Sequence, residues 1–183
     1  MKIAISCSGG TRRSSFLAEE LDRLGLLDQF YIPFETRTNH WMARIFGWNS
    51  QRVHVSQKSI RTFPLMHFMR AVFSKLGLHF STRYAMAKWF DHHVARLLQS
   101  PSQILWVESL IGLESIRRAK QLGMITVLDR TNSHILYQTG LLEKEYAQYG
   151  AKGTFNSPAV IERSLREYTE VDYIAVLSSF GIT

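Results

Sequence analysis

A chain of 183 residues, 45% of them hydrophobic, can bury one substantial core, so a single domain over 1–183 is expected. Its formal charge of +7 comes from 22 basic against 15 acidic residues, with much of the excess between Arg37 and Arg96; no zinc-finger spacing or RNP aromatic motif accompanies it, which sets nucleic acid aside in favour of anionic phospholipid, an acidic glycan or plain solvation. A lone cysteine, Cys7, excludes an intrachain disulfide, and no leader follows Lys2 and no run nears the ~20 apolar residues of a membrane span, which predicts a cytoplasmic protein, at most peripheral on a membrane face.

Lys2 to Ser8 reads as a first strand and Ser14 to Leu24 as a helix with Phe16, Leu17, Leu21 and Leu24 inward, ended by Gly25. Phe30 to Phe34 is expected as a second strand, closed by Pro33, and Arg52 to Ser56 as a third. Pro64 opens a helix with an apolar stripe from Leu65 to Leu76, and Ser81 or Thr82 caps another running to about Leu98. Strands then recur at Ile104–Glu108, Ile125–Asp129 and Tyr173–Leu177. Between the first two lies a helix with Leu113, Ile116, Ala119 and Leu122 on one face and Glu114–Arg118 as a supporting pair, stopped by Gly123. Helices near Ser133–Tyr149 and Ser157–Glu170 precede the last strand. The alternation predicts an α/β fold, a Rossmann-like, doubly wound and mostly parallel sheet.

Open parallel sheets bind ligands outside the carboxyl ends of their strands, which selects the polar residues there. Ser8-Gly9-Gly10-Thr11 joins a strand to a helix with bare amides that suit a phosphate, or serve only a tight turn, and Arg12 and Arg13 add charge beside it. The spacing of a dinucleotide-binding Gly-x-Gly-x-x-Gly is absent. Glu108 and Ser109 end the fourth strand, where acceptor contacts are expected. Asp129 to His134 leave the fifth; Asp129 and Arg130 form either site groups or an ion pair, and His134 either donates to a ligand from a helix capped by Ser133 or Asn132, or bonds only neighbouring backbone. Adjacent His92 and His93 point about 100° apart on a helix and predict no metal. Glu143 and Glu145 read as solvated helix charges. Trp41, Phe46 and Trp48, followed by Arg70, Lys75, Arg83 and Lys88, have the composition of a headgroup-facing surface.

Gly9-Gly10, SLIGLESIRRAKQLG, VLDRTNSHILYQTGLLEKEY and LREYTEVDYIAVLSSF together resemble the N-terminal half of a retaining GT-B glycosyltransferase of the group 1 type, over about two-thirds of the chain. The resemblance implies half of a GT-B architecture, its acceptor side, with the donor-binding C-terminal domain as a partner outside these residues and the isolated chain inactive. The implied activity is transfer of a sugar from a nucleotide-diphosphate-sugar to a hydroxyl of a glycan or lipid-linked acceptor, with no metal or other cofactor. It implies donor contacts from Gly9, Gly10, Thr11 and Arg130, catalytic parts for His134 and Asp129, and acceptor contacts from Glu108, Ser109, Trp41 and Arg70. Two other readings stay open. One is a non-catalytic Rossmann-like module for glycan or anionic membrane. The other is an ATP-using enzyme, since Ser8-Gly9-Gly10 resembles a pyrophosphatase loop, although such loops carry an acid where Arg12 stands.

Overall fold

Six parallel strands form one sheet in the order β3-β2-β1-β4-β5-β6, the doubly wound arrangement in which the chain works outward in both directions from β1. The computed structural model describes residues 1–8, 12–33, 53–63, 65, 80–99, 101–150 and 156–177. The strands are β1 (Ile3–Ser6), β2 (Leu27–Ile32), β3 (Ile60–Thr62), β4 (Ile104–Glu108), β5 (Ile125–Arg130) and β6 (Tyr173–Val176). The helices are α1 (Arg12–Arg23), α2 (Phe80–Leu97), α3 (Leu113–Gln121), α4 (Ile135–Gln148) and α5 (Pro158–Glu170). All five strand pairings are parallel, so the fold is the expected Rossmann-like α/β class.

Alternation along the strands divides the core between the two faces. Ile3 and Ile5 join Ala18, Leu27, Phe30 and Ile60 beneath α1, whereas Ala4 joins Leu105, Val107, Leu128, Phe90, Val94 and Ile116 beneath α2 and α3. Helix α1 packs Leu17 and Leu21 against the cluster beneath it as expected, but not Phe16 or Leu24, the latter lying past the end of the helix. Ser14 and Ala18 are buried while Phe16 is 65% and Leu24 60% exposed, because Ala18 seats the helix against the sheet and residues two apart stand about 200° apart. The helix ends as expected: Gly25 and, after α3, Gly123 hold φ of +67° and +73°, which suits residues without a Cβ.

The third strand is Ile60–Thr62 rather than Arg52–Ser56. Val53 and Val55 are buried and alternate with exposed His54 and Ser56, so the strand-like pattern there is real. The backbone partners are different. The His54 amide donates to Glu19 Oε1 at 2.8 Å and the Ser56 amide to Asp22 Oδ2 at 2.8 Å, both carboxylates being presented by α1. Glu114 also takes a partner other than Arg118: His92 Nδ1 lies 2.8 Å from its Oε2. Apart from exposed Leu65, the stripe to Leu76 lies outside the described residues.

Three buried charges fix the loop between β4 and α3. Asp91 on α2 accepts the Glu114 amide at 2.7 Å and the Ser115 amide at 2.9 Å, together with the Ser115 hydroxyl and the Arg163 Nη2, and so caps the start of α3 from a neighbouring helix. Glu167 on α5 accepts the Leu110 amide at 2.7 Å and the Gly112 amide at 2.9 Å, while Arg163 Nε donates to the Leu110 carbonyl at 3.1 Å. Asp91 and Glu167 are 0% and Arg163 5% exposed. Leu110 is held at φ +80°, a left-handed conformation that costs a branched residue about 1–2 kcal/mol and persists only where surrounding bonds impose it. Gly112 is required by packing: a Cβ there would stand 2.8 and 2.9 Å from the two γ carbons of fully buried Val107. Gly112→Ala is expected to lower the unfolding free energy by about 1–3 kcal/mol, seen as a lower urea midpoint at unchanged slope. A wild-type midpoint would mean that the loop is packed otherwise.

Candidate functional site

The winding direction reverses between β1 and β4, so the ends of these two strands diverge into a crevice at the carboxyl edge. Glu108 and Ser8 meet there. The Ser8 amide donates to Glu108 Oε2 at 2.6 Å and its hydroxyl donates to the same oxygen at 2.7 Å. Asp129 is paired in register with Glu108 on the adjoining strand, so both carboxylates project from the same sheet face. The Trp106 indole N–H donates to Asp129 Oδ2 at 3.2 Å, and Arg13 Nη1 from α1 lies 3.2 Å from Oδ1. Asp129 is 2% exposed and Arg13 about one-third, which places a half-open guanidinium over a buried carboxylate.

Arg130, one residue further along β5, projects to the opposite face, where Ser109, just past the end of β4, meets it. Arg130 is 5% exposed, and burial pulls its guanidinium below the ordinary range, with Tyr168 and Glu167 opposing that shift. It donates to the Ser133 carbonyl from Nε at 3.0 Å and from Nη2 at 2.7 Å, to Gln138 Oε1 at 2.7 Å and to Ser109 Oγ at 3.3 Å. These bonds fold the β5–α4 connection around one side chain. His134 is itself the N-cap of α4: its Nδ1 accepts the Leu136 amide at 3.4 Å, and its ring lies 5.0 Å from that of Tyr168. With Nδ1 accepting, the ring proton is assigned to Nε2. Burial pushes the Tyr168 hydroxyl above its ordinary range.

The expected residues therefore form two groups along one edge. Glu108 and Asp129 stand at the switch point, and Ser109, Arg130 and His134 stand beside it on the other face. An Asp129–Arg130 ion pair is ruled out by this parity, since successive strand residues point to opposite faces and each has its own partners. Neither Ser133 nor Asn132 is the cap of α4; that position belongs to His134. Gly9, Gly10, Thr11, Trp41 and Arg70 lie outside the described residues, as do Phe46, Trp48, Lys75 and Ser178. Of the headgroup-facing set, Lys88 is described, 5.9 Å above the Tyr84 ring.

Trp106, Tyr168 and the Asp91–Arg163–Glu167 network were not anticipated. His92 and His93 diverge as expected, His92 toward Glu114 and His93 onto the Trp89 ring at 3.8 Å between centroids. Among the described residues no group of three or more His, Cys, Asp or Glu is placed to hold a metal, and no helix is long and apolar enough to cross a membrane. An open groove of about 470 Å³ between α2 and α3, lined by His92, Arg96, Glu114 and Arg118, lies on the helical layer away from the crevice. No protein-family model and no curated protein matches the chain.

Glu108 anchors Ser8 through two charge-assisted bonds, so Glu108→Gln should lower the unfolding free energy by about 1 kcal/mol in urea, whereas Glu143→Gln on exposed α4 should change nothing measurable. Equal midpoints for both variants would show that the Ser8 contact contributes no stability.

Proposed function

We propose that this domain is the acceptor side of a retaining glycosyltransferase, holding a neutral, hydroxyl-rich acceptor at the switch point while a partner domain supplies most of the grip on a nucleotide-diphosphate-sugar. The observation that carries the reading is the Ser8–Glu108 contact. Both Ser8 donors are already taken by a carboxylate, so this corner of the crevice offers oxygen acceptors to hydroxyl groups in preference to amides for a phosphate. Asp129 adds a second carboxylate on the same face and Trp106 an apolar ring beside it, a combination suited to the polar edge and apolar face of a sugar.

In this reading the two groups of residues divide the work. Glu108 accepts acceptor hydroxyls, and Asp129 orients Trp106 and Arg13 instead of touching the reacting atoms. Arg13 and Arg130 supply positive charge toward the donor, and His134 donates from Nε2 to the transferred sugar or its phosphate. The acceptor oxygen bonds to the anomeric carbon as the bond to the diphosphate breaks, and a leaving phosphate oxygen takes the acceptor's proton. That route requires no carboxylate base from this domain and no metal. The basic surface would meet a glycan or a lipid-linked acceptor at an anionic membrane face. The pyrophosphatase-loop reading fares worse on the same contact, since a phosphate on the Ser8 amide would have to displace Glu108.

Two measurements test this. In solution, a neutral oligosaccharide should shift the amide resonances of Ser8, Glu108 and Asp129 and a nucleotide triphosphate should not; the reverse outcome would transfer the site to the ATP-using reading. Joined to a donor-binding domain, the chain should transfer sugar, and His134→Ala should slow transfer at least tenfold, or about 1.4 kcal/mol of transition-state stabilisation. Unchanged kinetics in a folded His134→Ala protein would leave His134 only its capping role.

A further inference from the structure

Asp91 and Glu167 share one buried guanidinium but are held unequally. Asp91 receives two backbone amides, the Ser115 hydroxyl and Arg163 Nη2. Glu167 receives two amides, those of Leu110 and Gly112, with Arg163 Nε 3.7 Å away and hydrogen-bonded instead to the Leu110 carbonyl. The less well-held carboxylate is thus the one that grips the loop with the left-handed Leu110. The residues just before that loop are those of the site: Glu108 binds Ser8, and Ser109 donates its amide to the Asp129 carbonyl at 3.1 Å while its hydroxyl meets Arg130.

We propose that Glu167 is a positioning residue whose protonation releases the Leu110–Gly112 loop, so that proton uptake in the interior loosens Glu108 and Ser109 at the carboxyl edge. Ionised, both of its oxygens accept loop amides. Protonated, one oxygen carries hydrogen and accepts poorly, and the strained Leu110 backbone loses part of what holds it. The charged and titratable groups facing Glu167 are Arg163 on its own helix, Asp91 from α2, Arg130 from β5, and Tyr168 next in sequence; from the β4–α3 loop only backbone amides face it.

The titration falls in a useful range. Burial pushes the Glu167 carboxyl up to about 7, against the lowering effects of the Gly112 and Leu110 amides and Arg163, with Asp91 adding to the rise. Burial raises Asp91 as well, against more donors. The sign follows from linkage. Because the folded value lies above the ordinary 4.5, the stability linked to Glu167 is fully present below about 4.5 and is lost as pH rises through about 7. Local order and the linked contribution therefore move in opposite directions: acidification from about pH 8 to about pH 6 raises the stability contributed through Glu167 while freeing this loop.

The switch is read without any ligand, and its bearing on activity rests on the transferase reading. Amide spectra of the full chain between about pH 5.5 and about pH 8.5 should show Leu110 and Gly112 moving together with a midpoint near 7. After correction for intrinsic exchange, their protection should be about tenfold lower at the acid end, while the urea midpoint is higher there. Glu167→Gln should abolish the shared midpoint and the opposing trends. If that variant does not fold, the carboxyl carbon of Glu167 in the wild-type protein reports the same titration directly. A Glu167 midpoint below about 5, or Leu110 and Gly112 amides that stay flat through neutral pH, would overturn the proposal. A switching loop without sugar transfer would sink the transferase reading alone, and transfer with pH-independent amides would sink the switch alone.

Discussion

The position of Arg163 between Asp91 and Glu167 is the constraint on which the arrangement of the carboxyl edge depends. An isolated buried charge is prohibitive, and a buried pair is retained only where its remaining hydrogen-bond capacity is filled. Here the filling groups are backbone amides at the start of α3 and in the loop before it, so the ionic cluster and the loop are one structure. Three elements distant in sequence, α2, β4–α3 and α5, are bolted together at a point that apolar packing alone would leave free to slide. Directional bonds to named amides set the loop to a single conformation, including one that Leu110 would not choose by itself.

From that fixed loop the chemistry spreads by strand parity. The β4–β5 register pairs Glu108 with Asp129, and the residues that follow them, Ser109 and Arg130, meet through a hydrogen bond. One face of the edge thereby receives two carboxylates and the other a hydroxyl and a guanidinium. Each acquires partners from the helix layer on its own side: Arg13 of α1 for Asp129, and Gln138 of α4 for Arg130. The edge thus has an acceptor-rich face and a donor-rich face.

Apolar periodicity carried most of the fold. β4 and β5 lie where β-branched runs place them, α3 buries Leu113, Ile116 and Ala119, and α5 starts at Pro158, one residue after the expected Ser157, which is its cap. The failures share a cause. Val53 to Ser56 has a better strand pattern than Ile60–Thr62, yet pairing requires a free neighbouring edge, and its amides had already been taken by Glu19 and Asp22. Phe16 outranked Ala18 by size, but a helix lying close to a sheet favours the small residue at the contact. At the site, Glu108, Asp129, Arg130 and His134 were legible as polar residues at strand ends. Asp91, between Phe90 and His92, was not, because its amide partners lie 23 and 24 residues away and Arg163 lies 72 away.

A single device recurs through the molecule: a carboxylate that binds the backbone amide of a distant segment. Glu19, Asp22, Asp91, Glu108, Glu167 and Asp172 all do this. Asp172 shows why it matters at the periphery. The last strand, β6, leaves Tyr173 at 63% and Ile174 at 44% exposed, so burial holds it weakly; Asp172 compensates by taking the Thr126 amide at 2.9 Å and hydroxyl at 2.8 Å, with Lys120 at 3.0 Å. Those bonds, the amide first, pull its carboxyl below the ordinary range, the opposite of Glu167. The difference is exposure: at the rim, acid removes both the bonds and the stability linked to them, whereas in the interior acid releases the Glu167 bonds while the stability linked to its titration rises. Burial thus determines which of these carboxylates only fasten the sheet and which can respond to proton activity near neutrality, and the responsive one is connected to the loop that carries the site.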